Sequence, residues 1–451
     1  MRPVWDGARR LRLWLAPGMG VKRHMLAAIG GGLALVLGAV LFTLWVYGEG
    51  RAELSQPVER VLSSRPWGAI GGWVSFAVAL SGLTLTVVAI GRLNRSLLSN
   101  WLPHPDDAAR LLNRRLVLAR GPRVVALGGG TGLSNLLRGL RKHTSNLTAV
   151  VAVSDDGGSS GRLREAYGMP APGDLTDCLA ALSDNESEFT RLLQYRFDRG
   201  RELSGHTFGN LFITTVAEVE GDFGNALRLI NRLLDLSGAV YPATAEAVTL
   251  VVEKENGETV RGEENLRNAP GPIKTLSTEP ADPEGLPEVE QAIRLADLIV
   301  LGPGSLFSST IPPLVVPSVR EAVNLSSAKL VYVCNIMTEA GETDGFDAFD
   351  HVAALRNHGV RLPDMVLLNS TPVDRGRLEN YRGEAAELVD AARQRFEEAG
   401  IELVEAPLLG SGEHAKHDSD KLGTALAVLA TRRDSKPRIL QAVRMTPGAS
   451  A

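Results

Sequence analysis

Three consecutive glycines, a threonine and a fourth glycine occupy residues 128–132, between an apolar run and an amphipathic pattern. Where a glycine turn opens a helix, free backbone N–H groups favour an anion, so Gly128, Gly129, Gly130, Thr131 and Gly132 are candidates to cradle phosphate. A dinucleotide fingerprint needs a glycine at position 133, where Leu133 stands, and no Walker Gly-Lys-Ser/Thr follows. The alternative, a tight strand-to-helix turn without a ligand, stays open.

The second stretch, SDDGGSSGRLR at residues 154–164, starts about 25 residues after the glycines, where dinucleotide folds place a ribose-binding acid. Asp155 and Asp156 suit that role, or a divalent cation such as Mg2+. Ser159 and Ser160 lie in a segment rich in backbone donors, and Arg162 and Arg164 suit phosphate oxygens. Asp174 and Asp177 sit at a helix start, where acids complement the helix dipole with or without a ligand. In SGHTFGN at residues 204–210, Ser204 or Thr207 can cap a helix. His206 and Asn210 are spaced to share a helical face. Gly304 and Ser305 belong to GPGS, and Asn335 opens NIMTEAGETDG. His414, His417, Asp418 and Lys421 form a weaker set. No residue is assigned as catalytic; no HExxH pattern occurs and no G-x-S-x-G elbow is expected, which disfavours a zinc protease or an α/β-hydrolase.

Elements must position these residues. Apolar runs at 124–127, 149–153, 298–301, 330–334 and 365–368 predict buried strands. Helical periods cover 208–218, 225–236, 289–295 and 385–399. The alternation predicts an α/β fold, a Rossmann-like parallel sheet with helices on both faces. Residues 245–277 carry strand-type residues and a KENG turn, and predict a small antiparallel insertion. In open parallel sheets, ligands bind beyond the carboxyl ends of the strands, so the polar loops predict one crevice.

The 451 residues are 44% hydrophobic and 22% charged, with a net charge of −4, which gives no basic field for nucleic acid. Cys178 and Cys334 are far apart, outside any CxxC, and fit a reducing compartment. Residues 25–47 and 66–90 are uncharged and apolar, each longer than the roughly 20 residues that span a bilayer. Trp45, Tyr47, Trp67 and Trp73 stand near their ends, as interfacial aromatics do. Arginines and lysines flank the pair on its outer sides, so the reading is a two-pass protein of the inner (cytoplasmic) membrane, with both ends cytoplasmic. The expected organisation is a basic cytoplasmic N-terminus (1–24), a transmembrane hairpin with a short external loop (25–92), a linker with one helix (93–121), a nucleotide-binding domain (122–433) and a tail (434–451).

VVALGGGTGLSNLLRGL, VAVSDDGGSSGRLR, PGD, LSGHTFGN, ADLIVLGPGSLFSSTIPPLVVPSVREAV, VYVCNIMTEAGETDGF and HDSDKL occur in this order. Together they resemble the gluconeogenesis factor family (YvcK-like), whose superfamily includes the 2-phospho-L-lactate transferase (CofD-like). The resemblance covers about residues 123–429 and leaves out the two apolar runs. It implies a Rossmann-like core that binds UDP-sugars such as UDP-N-acetylglucosamine, and a regulatory role in cell shape, cell-wall synthesis and gluconeogenic growth. It ties no firm catalytic activity to that branch. The transferase branch implies phospholactyl transfer from a guanosine diphosphate carrier to a deazaflavin, with magnesium. DDGGSSGRLR and HTFGN are similar to the YvcK-like branch. One departure is PGDLTD, where that pattern often reads PGDxRN, so Thr176 and Asp177 replace an Arg–Asn pair.

The expected function is a membrane-anchored UDP-sugar-binding regulator, with the CofD-like transferase as the alternative. Its expected partners are the nucleotide-sugar and the bilayer, with cell-wall synthesis machinery and a homo-oligomer left open. A nicotinamide-dependent oxidoreductase ranks third, because the third fingerprint glycine is missing.

Overall fold

The computed structural model describes residues 21–47, 65–98, 108–183, 188–269, 271–381 and 386–432. The expected external loop, the tail and all but the last four residues of the basic N-terminus lie outside them. The chain divides into two compact units, Met1–Arg114 and Arg115–Ala451.

The first unit holds helices α1 (Val21–Tyr47) and α2 (Arg65–Leu98). Each is long and apolar enough to cross a membrane. They pack antiparallel through small residues. A Cβ on Gly31 would lie 2.5 Å from the Thr86 hydroxyl, one on Gly38 would lie 2.4 Å from the Ala79 nitrogen, and one on Gly72 would lie 2.9 Å from the Trp45 ring. Gly31, Gly38 and Trp45 are seven residues apart, as are Gly72, Ala79 and Thr86. A seven-residue repeat keeps one seam facing its partner along both helices. Away from the seam, Leu26, Leu33, Trp73 and Val87 are exposed. Helix α2 runs past the expected end at residue 90, because Arg92 and Arg95 end an apolar run without breaking a helix.

The second unit is built on a seven-stranded sheet in the order β10-β9-β8-β7-β1-β2-β3, parallel throughout. Its strands are β1 (Val124–Gly128), β2 (Leu147–Val151), β3 (Ala239–Pro242), β7 (Leu298–Leu301), β8 (Lys329–Val333), β9 (Met365–Asn369) and β10 (Glu402–Ala406). The insertion between β3 and β7 forms a separate antiparallel sheet, β5-β4-β6, from β4 (Thr249–Lys254), β5 (Thr259–Arg261) and β6 (Ile273–Glu279). One hydrogen-bond set braces it internally and one bond ties it to the main sheet's helices. The buried Lys254 ammonium donates to the Ala269 and Gly271 carbonyls at 2.6 and 2.8 Å. The Leu276 N–H donates to His358 Nε2 at 2.9 Å.

Side chains alternate across each strand, so β1 feeds two cores: Val124 and Ala126 join one, Val125 and Leu127 the other. The first core is covered by α3 (Gly130–Leu140), α4 (Gly158–Tyr167), α5 (Gly173–Leu182) and α6 (Phe208–Glu220). The second is covered by α7 (Pro287–Leu295), α8 (Pro317–Leu325), α9 (Ala348–Asn357) and the short α10 (Arg393–Ala399). Helix α11 (Ser419–Thr431) returns to the first face. From β1 the chain winds outward to β3, and from β7 it winds the other way to β10. This reversal is a topological switch point.

Two strands escape the apolar-run reading. Strand β10 is a half-exposed edge, and β3 is only four residues long. The helix expected over 385–399 shrinks to α10. Residues before it pair instead with the loop after β8, through Thr338 N–H to the Glu387 carbonyl and Val389 N–H to the Ile336 carbonyl.

Helices α3 and α11 touch backbone to backbone. A Cβ on Gly423 would lie 2.4 Å from the Gly139 carbonyl carbon, and one on Gly139 would lie 1.8 Å from the Ser419 oxygen. Gly423→Val is therefore expected to destabilise the domain by about 1–3 kcal/mol. A lowered urea midpoint with unchanged m-value is the readout, and an unshifted midpoint would show that the two helices separate freely.

Candidate functional site

The loops after β1 and β7 meet at the switch point. Gly130, with φ +59°, opens α3 in the left-handed region that glycine tolerates. A Cβ on Gly132 would lie 2.2 Å from the Pro303 carbonyl oxygen, so only glycine lets the two loops approach this closely. Asn335 clamps the second loop. Its Oδ1 accepts from the Gly304 N–H at 3.2 Å and its Nδ2 donates to the Gly304 carbonyl at 3.0 Å.

A cavity of about 1040 Å³ opens over these loops. It includes Gly129, Gly130, Thr131, Gly132, Gly304, Ser305 and Asn335 of the expected site, whereas Gly128 does not line it. Asn135, Arg138, Tyr381 and Lys416 also line it, and motif reading missed them. A signal for two of them was present: Thr131, Asn135 and Arg138 follow a four-then-three spacing along one face of α3. Tyr381 and Lys416 come from far along the chain. Their wall is fixed by Asn135 Nδ2 donating to the His417 carbonyl at 2.5 Å and Lys421 Nζ donating to the Leu409 carbonyl at 2.8 Å. The Tyr381 hydroxyl accepts from the Ala415 N–H at 3.0 Å. Glycine backbone, Arg138 and Lys416 make part of the cavity polar. Ile336, Met337 and Ala415, with Tyr381 packed on them, make another part apolar.

A second cavity, of about 510 Å³, takes Asp155, Ser159, Ser160, Asp174 and Asn210 of the expected set. Asp174 links the two, because its Oδ2 accepts the N–H of Gly130 from the first cavity at 2.6 Å while its residue lines the second. The wall itself carries a buried relay. Thr176 donates to Asn210 Oδ1 at 3.0 Å, Asn210 Nδ2 donates to Ser159 Oγ at 3.1 Å, and Ser159 Oγ lies 2.9 Å from His206 Nδ1. Thr207 is the N-cap of α6, so His206 precedes the helix and the expected shared face with Asn210 does not form. The two meet through Ser159 instead.

Residues 157–161 do fit a G-x-S-x-G spacing, with Ser159 as the serine, against the expectation that no such elbow occurs. A nucleophile elbow requires a sharp strand-to-helix turn. Here six residues separate β2 from α4, and Ser159 lies inside the helix. Burial and the charges of Arg162 and Arg196 push the His206 pKa down. No carboxylate hydrogen-bonds to His206 among the described residues. An imidazolium is thus disfavoured, and Ser159 is held inside the helix between His206 and Asn210.

The remaining expected residues turn elsewhere. Asp156 Oδ1 accepts from the Glu264 N–H at 3.0 Å, Arg162 donates to the Ser204 carbonyl at 3.1 Å, and Arg164 donates to the Thr249 hydroxyl. All three line a third cavity, of about 530 Å³, away from the glycine loop. They serve packing of the insertion and of the loop before α6. Asp155 Oδ1 instead accepts from the Gly157 N–H at 3.0 Å, so the two neighbouring acids diverge. Among the described residues no group of three or more His, Cys, Asp or Glu converges as a metal site. The paired acids do not fit a magnesium ion.

The profile of the 2-phospho-L-lactate transferase CofD family matches residues 124–409. A Deinococcus radiodurans protein named "Putative gluconeogenesis factor" is 43% identical, over 95% of this chain and 91% of its own. The chain belongs to the gluconeogenesis factor family of the CofD superfamily. The Bacillus subtilis gluconeogenesis factor is 40% identical over 69% of this chain and 99% of its own. A solved Bacillus halodurans structure, described as a member of the UPF0052 family, superimposes with a TM-score of 0.66 at 39% identity, covering 68% of this chain and 99% of that one. A match over 95% of the chain cannot leave out both N-terminal helices, so the Deinococcus relative shares sequence in that region. In this family member the Lys416–His417 wall lies beyond the segment that the CofD profile matches.

His417 is 8% exposed, and its Nε2 has no hydrogen-bond partner among the described residues. Burial lowers its pKa from 6.5 to about 4. Between those values the unfolded chain binds a proton that the folded chain refuses, so this contribution to stability falls as pH drops through 6.5 toward 4. Between about pH 7.5 and pH 5, the wild type is expected to lose roughly 2 kcal/mol more than His417→Gln. Denaturant titrations at both pH values check this, and equal losses would show that His417 is not held neutral.

Proposed function

We propose that this gluconeogenesis factor family member is a membrane-anchored cytoplasmic regulator that binds a UDP-sugar, linked to cell shape, cell-wall synthesis and gluconeogenic growth. The observation that carries the reading is the larger cavity. It combines a glycine-rich helix N-terminus, Arg138 and Lys416, suited to a diphosphate, with an apolar part beside Tyr381, suited to a base. The test is calorimetry on the full chain in detergent with UDP-N-acetylglucosamine, UDP, GDP and NAD, each with and without Mg2+. Uridine ligands are expected to bind selectively. Arg138→Ala is expected to weaken them by roughly tenfold or more, the loss of one charge-assisted contact of about 1.5–3 kcal/mol. Unchanged affinity in that variant would remove Arg138 from the site.

The CofD profile supports a second reading, phospholactyl transfer. Selective GDP binding, followed by turnover of a guanylated phospholactate with a deazaflavin acceptor, would decide for it.

The two apolar helices support the anchor and the two-pass topology. Cys178 and Cys334 are both buried. A Gln56→Cys variant is therefore expected to react with an impermeant maleimide in intact cells. Labelling only after the cells are opened would reverse or abolish the proposed topology.

A further inference from the structure

We infer that the second cavity is a glycosyl subsite, which receives the neutral polyhydroxylated group carried by the diphosphate held in the first. This rests on the nucleotide-binding reading above.

The cavities are neighbours across one carboxylate. Asp174 touches the Gly130 N–H, where a phosphate would sit, and its residue lines the second cavity. A group attached to that phosphate emerges beside Asp174. Asp177, one turn along α5, lies within the field of both sides: burial pushes its pKa up, and Arg138 of the first cavity and Arg196 of the second offset only part of that.

The lining selects the chemistry. Among the described residues, the lining carries the acids Asp155 and Asp177 beside the cation Arg196, and Asp174, Glu263 and Glu264, which have partners of their own, complete it. A second anion would be repelled there. Among the described residues no aromatic or aliphatic side chain lines the cavity, so a base or an acyl chain finds no partner there. No metal-ligating cluster forms among the described residues. What fits is a group with many O–H donors for the carboxylates and oxygens of its own for the N–H groups that begin α4.

Ser160 supplies an independent observation. It is 5% exposed, it lines this cavity, and its hydroxyl has no hydrogen-bond partner among the described residues. Its oxygen is not fully enclosed and opens onto the cavity. Its neighbour Ser159 is fully engaged by His206 and Asn210, so Ser160 is the hydroxyl left to meet a ligand.

Calorimetry on the full chain in detergent, with UDP and with UDP-N-acetylglucosamine, tests the subsite in the wild type, Ser160→Ala and Asp177→Asn. The wild type is expected to hold the sugar nucleotide more tightly than UDP. Each variant is expected to lose about tenfold for the sugar nucleotide and less than twofold for UDP, the loss of one hydrogen bond in each case. Retained UDP binding also reports an intact fold. Variants that bind the sugar nucleotide as the wild type does, or that lose both ligands in parallel, would overturn the subsite. A wild type that binds UDP with no gain from the sugar would overturn the subsite alone. A wild type that binds neither ligand would overturn the nucleotide reading itself.

Discussion

The reversal of strand order between β1 and β7 is the constraint on which the rest depends. Loops leaving a parallel sheet on either side of such a point diverge, and the gap between them becomes a crevice. Here the gap is narrowed again by Gly132, which lets the first loop pass against the Pro303 carbonyl. The resulting floor is backbone, not side chain. Its donors are fixed by β1, α3 and the Asn335 clamp before any ligand arrives, and this is preorganisation of the kind that lowers the cost of binding.

Asp174 turns this floor into a competition. The Gly130 N–H at the start of α3 already has an anionic partner at 2.6 Å. A phosphate arriving there must displace the carboxylate or bind alongside it, and two anions at one donor repel. Arg138 and Lys416 therefore matter beyond simple attraction, because they offset the charge that Asp174 has already placed at the site.

Much of this was legible in the sequence. The central strands read clearly because burial on both faces leaves an uninterrupted apolar run, as in residues 298–301. The edge strand β10 did not, because one exposed side admits Glu402 and Glu405. The glycine loop, Asn335 and Ser160 were identified by composition at strand and helix ends. What motif spacing could not resolve was direction. Asp155 and Asp156 are adjacent, and adjacent side chains leave a loop toward different neighbours, one to Gly157 and the other to the insertion. Arg162 and Arg164 look like phosphate ligands by type, yet they end on the Ser204 carbonyl and the Thr249 hydroxyl. Tyr381 and Lys416 were invisible for the opposite reason. Nothing local marks them, and only the packing of α11 on α3 through Gly423 and Gly139 carries their wall to the glycine loop.

The N-terminal hairpin obeys a different logic from the site. Every residue lining the three cavities lies in the second unit. The Bacillus subtilis relative is matched over 99% of its length by only 69% of this chain, so the family builds its core without a full counterpart of the first unit. The hairpin, for its part, is packed along its own glycine seam. The proposed anchoring therefore changes where the nucleotide site works and what concentration of membrane-bound partners it meets, while its chemistry stays that of the second unit alone.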